Sequence, residues 1–136
     1  MDCSCESKAK CFSPKLSTKR GGKFSLMKVY HKSKESGDDP AWICGHWNGS
    51  PIEIGMGFRS EVGIGEVWHY HPYREYYVVI EGAAELEVEG TIVALSTGMV
   101  VMVEPGERHR VATIGETGAR WVVIKERSEP NTKFLA

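Results

Sequence analysis

Residues 63–82 read GIGEVWHYHPYREYYVVIEG and hold the clearest structural pattern in the chain. His69 and His71 are two positions apart in a segment that predicts a β-strand, so both imidazoles project from the same face, separated by about 6–7 Å. Pro72 ends this strand and Glu75 opens the next one. If the two strands are neighbours, the Glu75 carboxylate lies beside the imidazoles. His-x-His with a nearby carboxylate is a natural start for a divalent metal site, because imidazole and carboxylate bind Fe, Mn, Zn and Ni.

A second stretch, residues 98–109, reads GMVVMVEPGERH. Here an apolar strand ends at Pro105-Gly106, a dipeptide that reverses the chain and can deliver His109 towards the same interior. Three imidazoles and one carboxylate would leave two positions of an octahedral ion open for water or substrate. A single histidine in a strand is more often structural or solvated, and we interpret His31 and His46 in this way.

Short apolar segments separated by turn residues continue from Trp42 to Lys125. Segments of about five residues at a spacing of about ten predict an antiparallel sandwich or barrel. Glycines such as Gly82, Gly115 and Gly118 are interpreted as the turns between them, and no helical pattern of useful length is present. The predicted strands are Ile52–Phe58, Glu66–His71, Glu75–Ile80, Ala84–Val88, Thr91–Leu95, Val100–Val103, Arg110–Ile114 and Arg120–Lys125.

The sequence therefore predicts an all-β fold with a single domain. Residues 1–23 are rich in Ser, Lys and Cys without a strand or helix period, and we expect a flexible N-terminal arm. The barrel is expected over residues 24–127, beginning with a short strand near Phe24–Tyr30, and residues 128–136 are expected to form a C-terminal tail. The arm carries Cys3, Cys5 and Cys11, whose spacing matches no structural zinc pattern.

The two histidine-containing stretches resemble the two characteristic blocks of the cupin superfamily, and the chain is similar to its small single-domain (mono-cupin) metalloproteins. Five residues match the first block, and Gly98, Gly106 and His109 match the second. The five are Gly63, His69, His71, Glu75 and Gly82. Two positions depart from the second block: Glu104 stands where proline is usual, with Pro105 after it, and Thr113 replaces an asparagine. Neither departure removes a candidate ligand.

The resemblance spans residues 63–113 and implies a cupin-type jelly-roll β-barrel. It also implies that the barrel holds one divalent metal ion (Fe, Mn, Zn or Ni) on His69, His71, Glu75 and His109. It does not fix the reaction, because cupins include many enzyme classes as well as sensors and storage proteins.

Three functional classes remain open at this level. The first is Lewis-acid chemistry by a lyase, isomerase or decarboxylase, and the second is oxygen chemistry by an Fe(II) dioxygenase. The third is a non-catalytic small-molecule-binding or sensor cupin. We favour an enzyme, because all four ligands are present and we expect no DNA-binding unit in residues 1–40. Tyr77 shares the face of Glu75 and is the candidate acid–base or substrate-contacting residue, with simple packing as the alternative. Arg59, Trp121 and Val123 are candidate pocket residues.

Composition limits the partners. The chain has 136 residues, 41% of them hydrophobic, and a formal net charge of −1 at pH 7. This balance gives no basic surface for nucleic acid or an acidic membrane. No apolar stretch is long enough for a membrane span, and the N-terminus lacks a signal sequence, so a cytoplasmic protein is expected. We expect a small-molecule substrate or ligand, and a homodimer formed through edge strands and the N-terminal arm.

Overall fold

The computed structural model describes residues 15–18, 24–32, 41–59 and 66–136. This part of the chain contains ten β-strands, one short 3₁₀-helix at His46–Asn48 and no α-helix, which confirms the all-β prediction. The strands are β1 Lys15–Thr18, β2 Phe24–Val29, β3 Ala41–Cys44, β4 Glu53–Arg59, β5 His69–Tyr70, β6 Glu75–Val88, β7 Thr91–Ser96, β8 Val100–Val103, β9 His109–Lys125 and β10 Phe134–Leu135.

Two long antiparallel strands, β6 and β9, organise the barrel. The first half of β6 pairs with β8 and with the second half of β9, whose other side pairs with β4 and then β3. These five strands are called the front sheet. The second half of β6 pairs with β7 and with the first half of β9, which continues to β5 and β10. These five are called the back sheet. Because β6 and β9 run through both sheets, the structure curls into the predicted jelly roll.

The bend between the two sheets lies where the β6–β9 pairing shifts register, between Val79 and Leu86. Gly82 on β6 and Gly118 on β9 both have a φ of 80° at this bend, a conformation that glycine adopts without strain. The prediction of turns at Gly82, Gly115 and Gly118 was therefore wrong. Glu75–Ile80 and Ala84–Val88 belong to one strand, as do Arg110–Ile114 and Arg120–Lys125, since a glycine can mark a bulge as readily as a turn.

The hydrophobic core lies between the front and back sheets. It follows from the alternation of the long strands: Tyr77 and Val79 on β6, and Trp121 and Val123 on β9, point inwards and are buried. The full buried cluster is Tyr77, Val79, Ala84, Leu86, Leu95, Val103, Val111, Ile114, Ala119, Trp121 and Val123. This packing fixes the inward register of β6 and β9, and therefore the direction in which Glu75 and His109 point.

Strands β1 and β2 form a separate two-stranded antiparallel sheet. Strand β2 agrees with the strand predicted near Phe24–Tyr30, and β1 lies inside the segment expected to be a flexible arm. The rest of that segment, with Cys3, Cys5 and Cys11, lies outside the described residues. At the other end, β10 lies in the expected C-terminal tail and pairs with β5. Within the described ranges, no helix has the length and apolar character needed to cross a membrane.

Candidate metal centre

The strand pairing brings the four predicted metal-binding residues to one place. His69 on β5 lies directly opposite His109 at the start of β9, and their ring centroids are 4.3 Å apart. Glu75 is the first residue of β6, and His71 follows β5 by one position. All four side chains are buried, and one candidate ligand atom from each lies within 4.8 Å of the others. By contrast, His46 bonds to Ser128 and His31 is exposed, so neither belongs to this cluster.

Backbone carbonyl groups orient all three imidazoles of the cluster. Nδ1 of His69 lies 2.9 Å from the Val67 oxygen, and Nδ1 of His109 lies 2.8 Å from the Glu107 oxygen. Nδ1 of His71 lies 2.9 Å from the Thr132 oxygen. A carbonyl oxygen only accepts, so each Nδ1–H is the donor and each Nε2 is left to face the cluster. Histidines that bind metals characteristically have this arrangement, so the residues present fit a divalent ion.

The Glu75 carboxylate lies between two of the imidazoles. One oxygen is 3.1 Å from Nε2 of His71 and the other is 3.1 Å from Nε2 of His109. Burial alone would raise the pKa of Glu75, but hydrogen bonds from His109 and His71, with the charge of Lys125, hold this pKa well below its ordinary value. Glu75 is therefore ionised at neutral pH, as a metal-binding carboxylate must be.

The imidazoles differ in their protonation. Burial lowers the pKa of His69 to about 3, so this ring is neutral at pH 7. Burial also opposes the charged form of His109, but its hydrogen bond and attraction to Glu75 outweigh this effect and raise the pKa of His109 above its ordinary value. A metal ion at this centre would compete with the proton on His109.

A cavity of about 70 Å³ opens beside the cluster. This volume holds a few water molecules or a small organic group. The candidate pocket residues Arg59, Trp121 and Val123 all line it, as does Tyr77. The complete lining comprises Trp42, Arg59, Glu66, His69, His71, Glu75, Tyr77, Val111, Trp121, Val123, Lys125 and Lys133.

Tyr77 lines this cavity, as its position two residues after Glu75 predicts. The side chain is buried, and its ring centroid is 6.1 Å from that of His109. Burial, followed by the negative charges of Glu75 and Glu66, raises the pKa of Tyr77 well above its ordinary value. The phenol therefore keeps its proton at neutral pH and can donate a hydrogen bond into the cavity.

Glu66, Thr132 and Lys125 are residues of the site that were not predicted. Glu66 precedes β5, and one of its oxygens accepts a hydrogen bond of 3.0 Å from the Val111 N–H group. Burial is the main cause that raises the pKa of Glu66. Thr132, which supplies the carbonyl for His71, also hydrogen-bonds the Tyr73 hydroxyl through its side chain. Lys125 is the third, and the sequence could have revealed it. It is a charged residue at the inward-facing position that continues the alternation of Trp121 and Val123.

Known proteins resemble this chain in sequence and in fold. The protein-family model described as Cupin domain matches residues 58–125. The polyketide synthase CurC of Streptomyces cyaneus is 38% identical over 55 residues, which cover 40% of this chain and 36% of that protein. The match thus spans about a third of the length of this curated relative.

Two solved structures show the fold alone, because their sequence identity is low. One is an uncharacterised conserved protein with a double-stranded β-helix domain from Klebsiella pneumoniae, with a TM-score of 0.61 and 20% identity over 76% of this chain and 89% of that chain. The other is the DMSP lyase DddQ from Ruegeria pomeroyi, with a TM-score of 0.60 and 20% identity over 79% and 60% of the two chains. With a family match over half of its residues and a jelly-roll barrel around a buried His₃Glu cluster, this chain belongs to the cupin superfamily.

Proposed function

We propose that this protein is a metal-dependent cupin enzyme that acts on a small molecule by Lewis-acid chemistry, as a lyase, isomerase or decarboxylase. One observation carries the proposal: a buried cluster of three oriented imidazoles and one carboxylate opens onto a cavity that also contains a tyrosine and a second glutamate. A closed structural metal site would have no need of such a cavity.

His69, His71, Glu75 and His109 would hold one divalent ion, and Fe, Mn, Zn and Ni all accept this set of ligands. When bound, the ion would polarise a carbonyl or carboxylate oxygen of the substrate. The protein's own contribution is to keep the three Nε2 atoms aligned through the carbonyl groups of Val67, Thr132 and Glu107. Burial of the cluster also excludes bulk water, which strengthens electrostatic interactions at the reacting centre.

Two cavity residues are suited to proton transfer. Tyr77 remains protonated, because burial and the neighbouring carboxylates disfavour its anion, so it serves as a proton or hydrogen-bond donor. Glu66 has a raised pKa and a fixed orientation through the Val111 N–H group, so it is the candidate base. A pKa displaced towards the working pH is what general acid–base catalysis favours.

Replacement of Tyr77 by phenylalanine tests the proton-transfer role. We expect Tyr77→Phe to lower kcat by roughly 10²-fold or more with little change in metal content, since general acid–base groups contribute about 10²–10⁴-fold. Tyr76→Phe is the matched control, because Tyr76 is the adjacent residue on the outer face of β6. Equal activity of the two variants would assign Tyr77 to packing.

The enzyme class is tested by purifying the protein without oxygen, measuring its metal content, and assaying small hydroxy and oxo acids with and without O₂. The proposal expects stoichiometric metal and turnover that is independent of O₂ and abolished by a chelator. Stoichiometric iron with strictly O₂-dependent turnover would instead identify a dioxygenase. Metal binding without turnover of any compound would overturn the proposal of an enzyme and favour a binding protein.

A further inference from the structure

Three charged side chains lie side by side on the inner face of the front sheet. The pairing register places Glu53 on β4 opposite Lys125 on β9, and Lys125 opposite Glu75 on β6. The Lys125 ammonium is 3.1 Å from a Glu53 oxygen and 3.9 Å from a Glu75 oxygen. All three residues are buried, so the metal cluster continues into a row of alternating charge.

Stability gives little reason for this row. Two charges lose their hydration on burial, and a well-packed apolar pair of similar size is often as stable or more so. The neighbouring inward positions on the same strands, Gly55, Val123 and Tyr77, are indeed neutral. Two members of the row, Lys125 and Glu75, line the cavity, so the row indicates a ligand there.

Lys125 has hydrogen-bonding capacity to offer such a ligand. An ammonium group carries three N–H donors. Among the described residues, Glu53 accepts one bond, whereas the Glu75 oxygen at 3.9 Å is beyond hydrogen-bond range. Glu53 is itself held in place by the Ser128 hydroxyl, which donates a bond of 2.9 Å to its other oxygen. Lys125 also lines the cavity together with three of the four candidate metal ligands.

We propose that Lys125 is the second binding point for the substrate, and that it takes a carboxylate group held next to the metal ion. The ring of Trp42 lies 4.3 Å from the ammonium and lines the same cavity, where it would contact the carbon atoms attached to that carboxylate. The volume of about 70 Å³ suits a group of this size. The subsite extends the proposed function and rests on it, because the other contact of the same substrate would be the metal ion.

Acetate and acetamide form a matched pair of probes, since they have the same shape and differ in charge. Binding to the zinc-loaded protein is measured by calorimetry and by tryptophan fluorescence, to which Trp42 in the cavity wall contributes. We expect acetate to bind at least about 10-fold more tightly than acetamide, and Lys125→Met to remove about 10-fold of acetate affinity, as expected for a hydrogen bond to a charged group. Lys125→Arg should retain part of the preference, and Lys28→Met, a change outside the barrel sheets, should leave it intact.

The double variant Glu53→Gln/Lys125→Met keeps the test valid if Lys125→Met alone folds poorly, because it removes both buried charges together. It should fold, retain metal and still lack the acetate preference. Unchanged acetate affinity in either Lys125→Met protein would overturn the subsite. So would loss of zinc from these variants with normal acetate binding once zinc is saturating, since Lys125 would then only orient Glu75.

The subsite and the proposed enzyme fail in different ways. If the protein proves to be a metal-dependent enzyme but its acetate affinity does not depend on Lys125, only the subsite is disproved. If the zinc-loaded protein binds acetate through Lys125 but turns over no substrate, only the proposed enzymatic activity is disproved.

Discussion

Each imidazole of the metal centre is oriented by a carbonyl group from a different part of the chain. Val67 and Glu107 lie two residues before His69 and His109, so these two rings are held by their own local backbone. His71 is held by Thr132, which is 61 residues away in the sequence. The position of His71 therefore depends on the docking of the C-terminal segment as well as on its own strand.

At this scale we predict that His71→Ala and Glu75→Ala each lower metal affinity by about 10-fold or more, because even the loss of a residue that only orients a ligand has an effect of this size. The barrel should still fold, since neither residue belongs to the apolar core. Metal content after dialysis against a competing chelator, together with circular dichroism, provides the measurement. His31→Ala and Glu81→Ala are matched controls on exposed positions, and full metal occupancy in both cluster variants would contradict the assignment.

The bend in β6 and β9 is the element that closes the barrel around the site. Gly82 lies opposite Ala119 where the pairing shifts register, and a Cβ atom on Gly82 would overlap the carbonyl oxygen of the adjacent Gly118. The bend thus needs glycine both for its positive φ and for the close approach of two backbones. On β6 the residues before the bend belong to the front sheet and those after it to the back sheet, and on β9 this order is reversed.

We predict that Gly82→Ala destabilises the protein by at least about 2 kcal/mol more than Gly90→Ala, as backbone overlap adds to the cost of a positive φ. The two positions have nearly equal φ angles, 80° and 84°, but a Cβ on Gly90 would meet nothing within 4 Å. Urea denaturation of both variants measures the difference in unfolding free energy. Equal destabilisation would show that backbone conformation alone matters at the bend.

Viewed as a whole molecule, the front sheet has an apolar outer face, and its inner face is apolar away from the charged row of Glu53, Lys125 and Glu75. Its inner face packs in the core, and its outer face presents two rows that cross four strands in register. The rows are Met56, Val122, Val78, Val100 and Ile54, Ile124, Tyr76, Met102. Val100 is 60% exposed and Met102 45% exposed, so the face is only partly covered by the protein itself. Contiguous apolar surface of this kind marks an interaction site.

We propose that a second copy of this chain packs against the outer face of the front sheet, in keeping with the homodimer expected from the sequence. An apolar sheet face is complementary to itself around a two-fold axis. Its rim carries charges of both signs, such as Arg74 beside Glu104 and Arg120 beside Glu81, so it does not repel its own copy. Four strands span roughly 20 Å, enough for the centre of an interface that buries about 800 Å² per partner.

Val78→Lys, a change at the centre of this face, should convert the dimer into a folded monomer with unchanged metal content, because a charge would be buried without a partner. Light scattering after size-exclusion chromatography gives the mass. Ile92→Lys places the same change on the exposed β7 of the back sheet and should leave a dimer. A monomeric wild-type protein, or a dimeric Val78→Lys protein, would disprove this interface.

The sequence by itself determined the fold class and the four clustered residues. Strand alternation, His-x-His spacing and the Pro-Gly turn are local properties, and they fix on which face of a strand each side chain lies. For this reason the alternation of their own strands was enough to place His69 with His71, and Glu75 with Tyr77, on a shared face, and the resemblance to the cupin blocks implied that these residues lie inside the barrel. The strands broken at Gly82 and Gly118 could not be joined from sequence, because a glycine in a bulge and a glycine in a turn have the same local signature.

Only the tertiary structure decided what surrounds the metal centre. Lys125 and Glu66 reach the cavity through pairing between strands that are distant in the sequence, and Thr132 reaches His71 through the docking of β10 on β5. Such contacts depend on which strands become neighbours. Periodicity within a single strand carries no information about that choice, since it is settled by the closure of the whole barrel.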